Sequence, residues 1–184
     1  MSQMPISPDQ LAAYFNAATA ITAAHYGLPI RRISLTVIDQ RRRRPELMPL
    51  AEFAASRQKG SKALQPYIDY ATVLIAGSVG RLIGLESHLA YDRPCAETAR
   101  LERAFLTEAT LCFEPDTDVA FSIIVGWLKN ANGGNAAATF GQLWRRALLL
   151  LRRSPHHERL ALLVEILKRR RELTGDHITA ILAS

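Results

Sequence analysis

One short segment of alternating polarity constrains the fold of this chain more than any other. After Ile30, polar and apolar side chains alternate from residue 32 to residue 37, which is the pattern of a β-strand with one buried face. Gly27 and Pro29 precede this segment and end a helical pattern. Because a single strand is not stable alone, we expect a partner strand elsewhere in the chain or on another molecule.

The rest of the chain has the patterns of helices. Ser7, Pro8 and Gln10 form a start signal, with Ser7 as the N-cap and Gln10 completing a capping box. Thr174 is the predicted N-cap of a short last helix. Further helices are predicted over about 45–58, 61–85 (or from Pro66), 94–112, 116–130, 136–153 and 155–171. The fold class is therefore mainly α, with a small β element near residues 30–38.

The composition is that of a globular protein. The 184 residues are 48% hydrophobic and 22% charged, which suits one domain over 1–184, with its core at 7–184 and a variable loop and short helix at 39–60. The chain has only two cysteines and no secretory signal pattern. Its apolar runs are shorter than the ~20 residues that a membrane span needs. We therefore expect a cytoplasmic protein without a membrane span. The net charge of +6 permits an acidic partner without requiring one.

Four segments carry a likeness to a known family. In chain order they are FNAATAITAAHYGLPIRRISL at 15–35, VLIAGSVGRLIG at 73–84, PDTDVAFSI at 115–123 and RRRELTGDHITAIL at 169–182. In this order and spacing they resemble the peptidase domain of FtsH-type ATP-dependent zinc metalloproteases. The resemblance covers roughly residues 7–182 and implies a helical, FtsH-peptidase-like domain.

The same resemblance implies that catalysis has been lost. In the family, a helix carries H-E-x-x-H, whose histidines bind zinc and whose glutamate polarises the metal-bound water. The matching positions are Phe15, Asn16 and Thr19, and none of these residues can do that work. Asp116 matches the third zinc ligand, whereas Arg81 stands where glutamate is common. We therefore expect an inactive domain with no zinc cofactor, which acts as an interaction or regulatory protein through a protein partner or self-association.

Two alternatives stay open at this point. A zinc-dependent metallopeptidase could use Asp116 together with non-standard ligands such as His88. A basic accessory protein associated with nucleic acid would instead bind through a run of arginines, although no recognisable nucleic-acid module supports it. The same run could contact an acidic protein partner, because guanidinium pairs well with carboxylate and phosphate. The run consists of Arg41, Arg42, Arg43 and Arg44.

Two other groups of polar residues have ordinary explanations. Glu86, His88 and Asp92 match no recurring metal site, and we expect them in a solvated connector. His156 and His157 follow a proline at a helix start, where we expect them to be exposed.

The remaining basic residues and the motif positions also have simple interpretations. Helical spacing is expected to spread the basic groups at 145–146, 152–153 and 168–171 over several faces. Without the family resemblance, Phe15 and Thr19 are core residues of an unrelated helical protein.

Overall fold

The computed structural model describes residues 6–35, 45–57, 65–88 and 136–183. Within these ranges the chain is mainly helical, with six helices and a small three-stranded sheet, which confirms the predicted fold class. The elements are α1 (Pro8–His25), β1 (Ile30–Ser34), β2 (Glu46–Leu47), α2 (Leu50–Arg57), α3 (Gln65–His88), α4 (Ala136–Arg152), α5 (His156–Arg170), β3 (Glu172–Thr174) and α6 (Gly175–Ala183). The predicted helices over 94–112 and 116–130 lie outside the described residues.

The sheet is antiparallel and has the strand order β2-β1-β3. Ile33 of β1 pairs with Leu173 of β3, and Ile30 pairs with Leu47 of β2 on the other side. The partner strands therefore come from the chain itself. Both are so short that they carry no period of their own, which is why the sequence pattern does not reveal them.

Two predicted boundaries change in this region. The expected helix over 45–58 is wrong at its start, because residues 46–47 form β2 and α2 begins only at Leu50, after Pro49. β1 ends at Ser34, earlier than the alternation suggests. Leu35 nevertheless stays buried, and its N–H donates to the Arg171 carbonyl oxygen at 2.7 Å. Residues 36–44 lie outside the described ranges.

Helix α1 lies at the centre of the fold. Its predicted start is confirmed, because the Ser7 hydroxyl accepts a hydrogen bond from the Gln10 N–H at 3.1 Å and Pro8 occupies the first turn. Every side chain from residue 16 to residue 23 is buried, since α3, α4, α5, α6 and β1 all contact this helix. After His25 the chain turns through Gly27, whose φ of 63° favours glycine, and enters β1.

Helix α3 packs very closely on α1. It begins at Gln65 with Pro66 in the first turn, which agrees with the predicted start near Pro66. A Cβ at Gly80 would lie 2.5 Å from the Tyr14 carbonyl oxygen, so only glycine lets the two backbones meet here. Among the described helices, α3 is the one long and apolar enough to cross a membrane. Because 78% of its most apolar stretch is buried, packing in the core accounts for the apolar composition of α3.

Helices α4 and α5 complete the core and match their predicted bounds to within a residue. The largest buried side chains of this pair are Trp144, Leu151, Leu160, Leu163 and Leu167. Ser154 and Pro155 separate the two helices, as expected.

The chain leaves α5 through a left-handed residue and ends its described part in α6. Arg171, with a φ of 65°, turns the chain from α5 into β3. Thr174 accepts a hydrogen bond from the His177 N–H at 3.5 Å, which confirms the predicted cap of the last helix.

Candidate functional site

The positions that match the family's zinc motif lie on the buried part of α1. Asn16 and Thr19 are 0% and 2% exposed, and Phe15 is half-buried. The Phe15 ring lies directly against Gly77 of α3, where an added Cβ would come within 2.5 Å of the ring. The Phe15 ring therefore packs two helices together.

The two polar side chains of the motif bond to the helix that carries them. Thr19 donates its hydroxyl hydrogen to the Phe15 carbonyl oxygen at 2.9 Å. The Asn16 side-chain amide donates to the Ala12 carbonyl oxygen at 2.8 Å. Bonds of this kind, from a residue to the carbonyl one turn earlier, satisfy the Thr19 hydroxyl donor and the Asn16 amide donor without any ligand. Neither side chain is presented to solvent.

Helix α3, which packs against α1, carries two further polar side chains of note. Thr72 of α3 also donates its hydroxyl to a carbonyl of its own helix, that of Ile68, at 2.8 Å. Arg81, which stands where the family commonly has glutamate, is half-buried, and burial lowers its pKa.

The remaining predicted ligands and the arginine run are not brought together by the described structure. Asp116, Arg41, Arg42, Arg43 and Arg44 all lie outside the described residues, so their roles stay predictions. Within the described ranges, no group of three His, Cys, Asp or Glu side chains is close enough to hold a metal ion.

The predicted connector around Glu86 is partly helical. Glu86 and His88 lie in the last turn of α3, whereas Asp92 lies outside the described residues, as does the His88 side chain. Glu86 accepts two hydrogen bonds from Arg152 of α4, at 2.8 and 2.9 Å. Its carboxylate therefore joins two helices.

Two histidines meet where α1 ends and α5 begins. The rings of His25 and His156 make an edge-to-face contact with centroids 5.5 Å apart. Burial lowers the pKa of His156, and the neighbouring His25 and Arg159 lower it further. His156 is thus partly buried rather than exposed as the sequence suggested, whereas His157 is exposed.

The side of α4 that faces solvent is strongly basic. Residues Arg145, Arg146, Leu149, Arg152 and Arg153 are all exposed and together form the α4 outer face. At 3.6 residues per turn the four that lie within α4 span an arc of only about 120°, and Arg153 follows directly after the helix. The expected spread over several faces is therefore wrong for α4. The signal was present, because two arginine pairs seven residues apart must fall on the same side of a helix.

Two of these arginines hold α4 against α3, and two do not. Arg146 lies 3.4 Å from the Asp69 carboxylate and also 4.8 Å above the ring of Tyr26. Burial raises the pKa of Tyr26, which the Arg146 guanidinium partly offsets. Arg152 pairs with Glu86 on the other flank. Arg145 and Arg153 make no ion pair with any part of the chain that the structure describes.

Comparison with known proteins does not assign this chain to a family. Neither the protein-family models nor the curated proteins give a match to this chain.

Proposed function

We propose that this chain is a catalytically inactive, FtsH-peptidase-like domain that works by binding a protein partner or further copies of itself. One observation carries the proposal. The three side chains at the positions of the zinc motif all serve the core, through the Phe15 ring against Gly77 and the hydrogen bonds of Asn16 and Thr19 to their own helix.

The chemistry of a zinc peptidase explains why this arrangement argues against catalysis. Two imidazoles at positions i and i+4 must project together into a space that admits a metal ion, water and substrate. Here those positions hold the aromatic ring of Phe15 and the hydroxyl of Thr19. That hydroxyl already donates a hydrogen bond to the Phe15 carbonyl oxygen at 2.9 Å. Asn16 cannot accept the proton that the family's glutamate removes from the bound water. Three separate changes would be needed to restore the function.

The local backbone supports the family part of the proposal. The resemblance predicts a helix, a Gly-Leu-Pro turn and a strand in succession, and α1 is followed by Gly27 at positive φ and then by β1. The last resembling segment contains β3, which lies beside β1 in the sheet. Segments that are distant in the sequence are thus neighbours in the fold.

The test is to measure zinc content and proteolysis on the same purified protein. After incubation with zinc and dialysis, we expect far less than one zinc per chain and no casein hydrolysis that a chelator can stop. The Asp116→Ala variant should behave in the same way. About one zinc per chain, together with hydrolysis that the chelator abolishes and Asp116→Ala reduces, would overturn the proposal in favour of a metallopeptidase with non-standard ligands.

Self-association is tested separately by measuring molar mass in solution. The chain has a mass of 20.4 kDa, and light scattering behind a sizing column distinguishes this value from its multiples. A multiple identifies another copy of the chain as a partner. A mass of 20.4 kDa at all concentrations leaves binding to a different protein.

A further inference from the structure

We infer that the α4 outer face binds an acidic amphipathic helix of a partner protein. In this arrangement Leu149 is the apolar anchor, and Arg145 and Arg153 pair with carboxylates on either side of it. The inference rests on the proposed binding function and names both the surface and the chemistry of the partner.

The geometry of the α4 outer face sets the size of the binding partner. Arg145 and Leu149 lie on α4 at four-residue spacing, and Arg153 follows directly after the last helical residue, so the three form a row that runs along α4 and ends just beyond it. At 1.5 Å per residue the row is about 12 Å long, or a little over two helical turns. Leu149 stands in the middle of this row and is 64% exposed, the higher of the two large apolar exposures found in the described chain.

The charge of the row is not neutralised by the described fold. α4 contains no acidic residue from 136 to 152. Two carboxylates of α3, on Asp69 and Glu86, are paired with Arg146 and Arg152 at the flanks of the face. These pairs hold α4 in place and leave Arg145 and Arg153 directed to solvent on both sides of Leu149. A single exposed leucine is common on protein surfaces, whereas a leucine between two unneutralised arginines has a specific complement.

That complement is a helix with the inverse pattern of charge. Guanidinium and carboxylate form charge-assisted, often bidentate hydrogen bonds. A partner helix with acidic residues about eight positions apart and an apolar residue between them matches the row in both length and chemistry. Helix recognition through anchors at such spacing is a recurring binding mode.

Two other anionic partners fit this face less well. A nucleic acid offers phosphates to the arginines, but Leu149 gains nothing from phosphate, and the α4 outer face has no aromatic ring on which a base could stack. An anionic membrane surface would need a broad apolar helix face to insert. The apolar face of α4, with Trp144 and Leu151, is instead buried in the core.

The experiment measures binding of the full chain to a fluorescent, capped 15-residue helical peptide. The probe carries Glu, Leu and Glu at four-residue spacing in an alanine background, and its two controls replace both Glu with Lys or the Leu with Ala. We expect saturable binding of the first peptide only. Replacing Arg145 and Arg153 together with alanine should weaken binding about tenfold, since two pairs of exposed charges are lost.

Matched variants separate this site from general charge and from loss of folding. Arg169→Ala with Arg170→Ala removes the same charge from exposed positions of α5 and should leave binding unchanged. Leu149→Asp should abolish binding, because it places a carboxylate against those of the peptide. Melting curves of all variants should overlay that of the wild type, because every changed side chain is exposed.

Several outcomes would overturn the inference. It fails if none of the peptides binds, or if the α5 variant weakens binding as much as the α4 variant. It also fails if single-stranded RNA or vesicles of anionic lipid bind through Arg145 and Arg153 while the peptide does not. Such a result leaves the proposed function intact, provided that zinc and hydrolysis are absent. Stoichiometric zinc with hydrolysis would end the proposed function whatever the peptide does.

Discussion

Replacing Gly80 with alanine adds one methyl group to α3 at the point where it meets α1. The new Cβ would lie 2.5 Å from the Tyr14 carbonyl oxygen and would also overlap the Ala18 Cβ. Carbon atoms rest at about 3.5–4.0 Å from their neighbours, so α1 and α3 must separate by about 1 Å. Neither obstacle can rotate away, because one is backbone and the other is a Cβ.

The size of the effect follows from two opposing contributions. Forcing an extra methyl group into a packed core costs about 3 kcal/mol when the neighbours cannot yield. Alanine favours the helical state over glycine by about 1 kcal/mol. The expected net loss is about 2 kcal/mol, which lowers the melting temperature of a chain of this size by about 4–8 °C.

Gly141→Ala is the matched control, because it makes the same chemical change in another helix. A Cβ at Gly141 meets nothing within 4 Å. Only the gain in helix propensity remains, so this variant should melt about 2–4 °C above the wild type. Thermal melts followed by circular dichroism at 222 nm measure both. If Gly80→Ala is as stable as the wild type while Gly141→Ala rises as expected, the close contact between α1 and α3 is wrong.

Two further predictions concern the ends of α5. Burial and the neighbouring His25 lower the pKa of His156 in the folded chain. Below a pH of about 6.5 the unfolded chain therefore binds more protons than the folded chain does. The free energy of unfolding should fall as the pH is lowered from there to the folded-state pKa. His156→Gln should flatten this part of a urea-denaturation series against pH, whereas the exposed neighbour change His157→Gln should not. At Arg171, where φ is 65°, the glycine variant should be more stable than the alanine variant by about 1 kcal/mol, although both lose the exposed ion pair with Asp9. Equal midpoints in urea for these two variants would show that the left-handed turn carries no strain.

The sequence predicts α1 and β1 much better than it predicts the two strands that pair with β1. Ser7, Pro8 and Gly27 define α1 through local chemistry that needs no tertiary information, and the alternation after Pro29 identifies β1. The strands that pair with β1 cannot be found in this way. β2 and β3 have two and three residues, and their extended conformation depends on β1 being beside them.

At the candidate site, too, the sequence predicts local features but not the contacts between residues that are distant in the chain. The expectation of a buried Thr19 is confirmed, whereas Phe15 is half-buried and packs against Gly77. What the sequence cannot give is which α3 residue meets Phe15, since that depends on how two helices cross. On α4, the seven-residue spacing of the arginine pairs already predicts one basic face. Which arginines stay unneutralised depends on Asp69 and Glu86, which lie far away in the sequence and close by in space.

The position of β3 also has a consequence for how the chain folds during synthesis. Arg171, which hydrogen-bonds to Leu35 at the end of β1, follows it by 136 residues. Until α5 has emerged from the ribosome, the part of α1 that α5 covers is open to other nascent chains. Contacts between such distant residues form slowly. A chain that stops before α5 would keep that part of the surface open, and we expect the cell to degrade it instead of keeping a smaller folded domain.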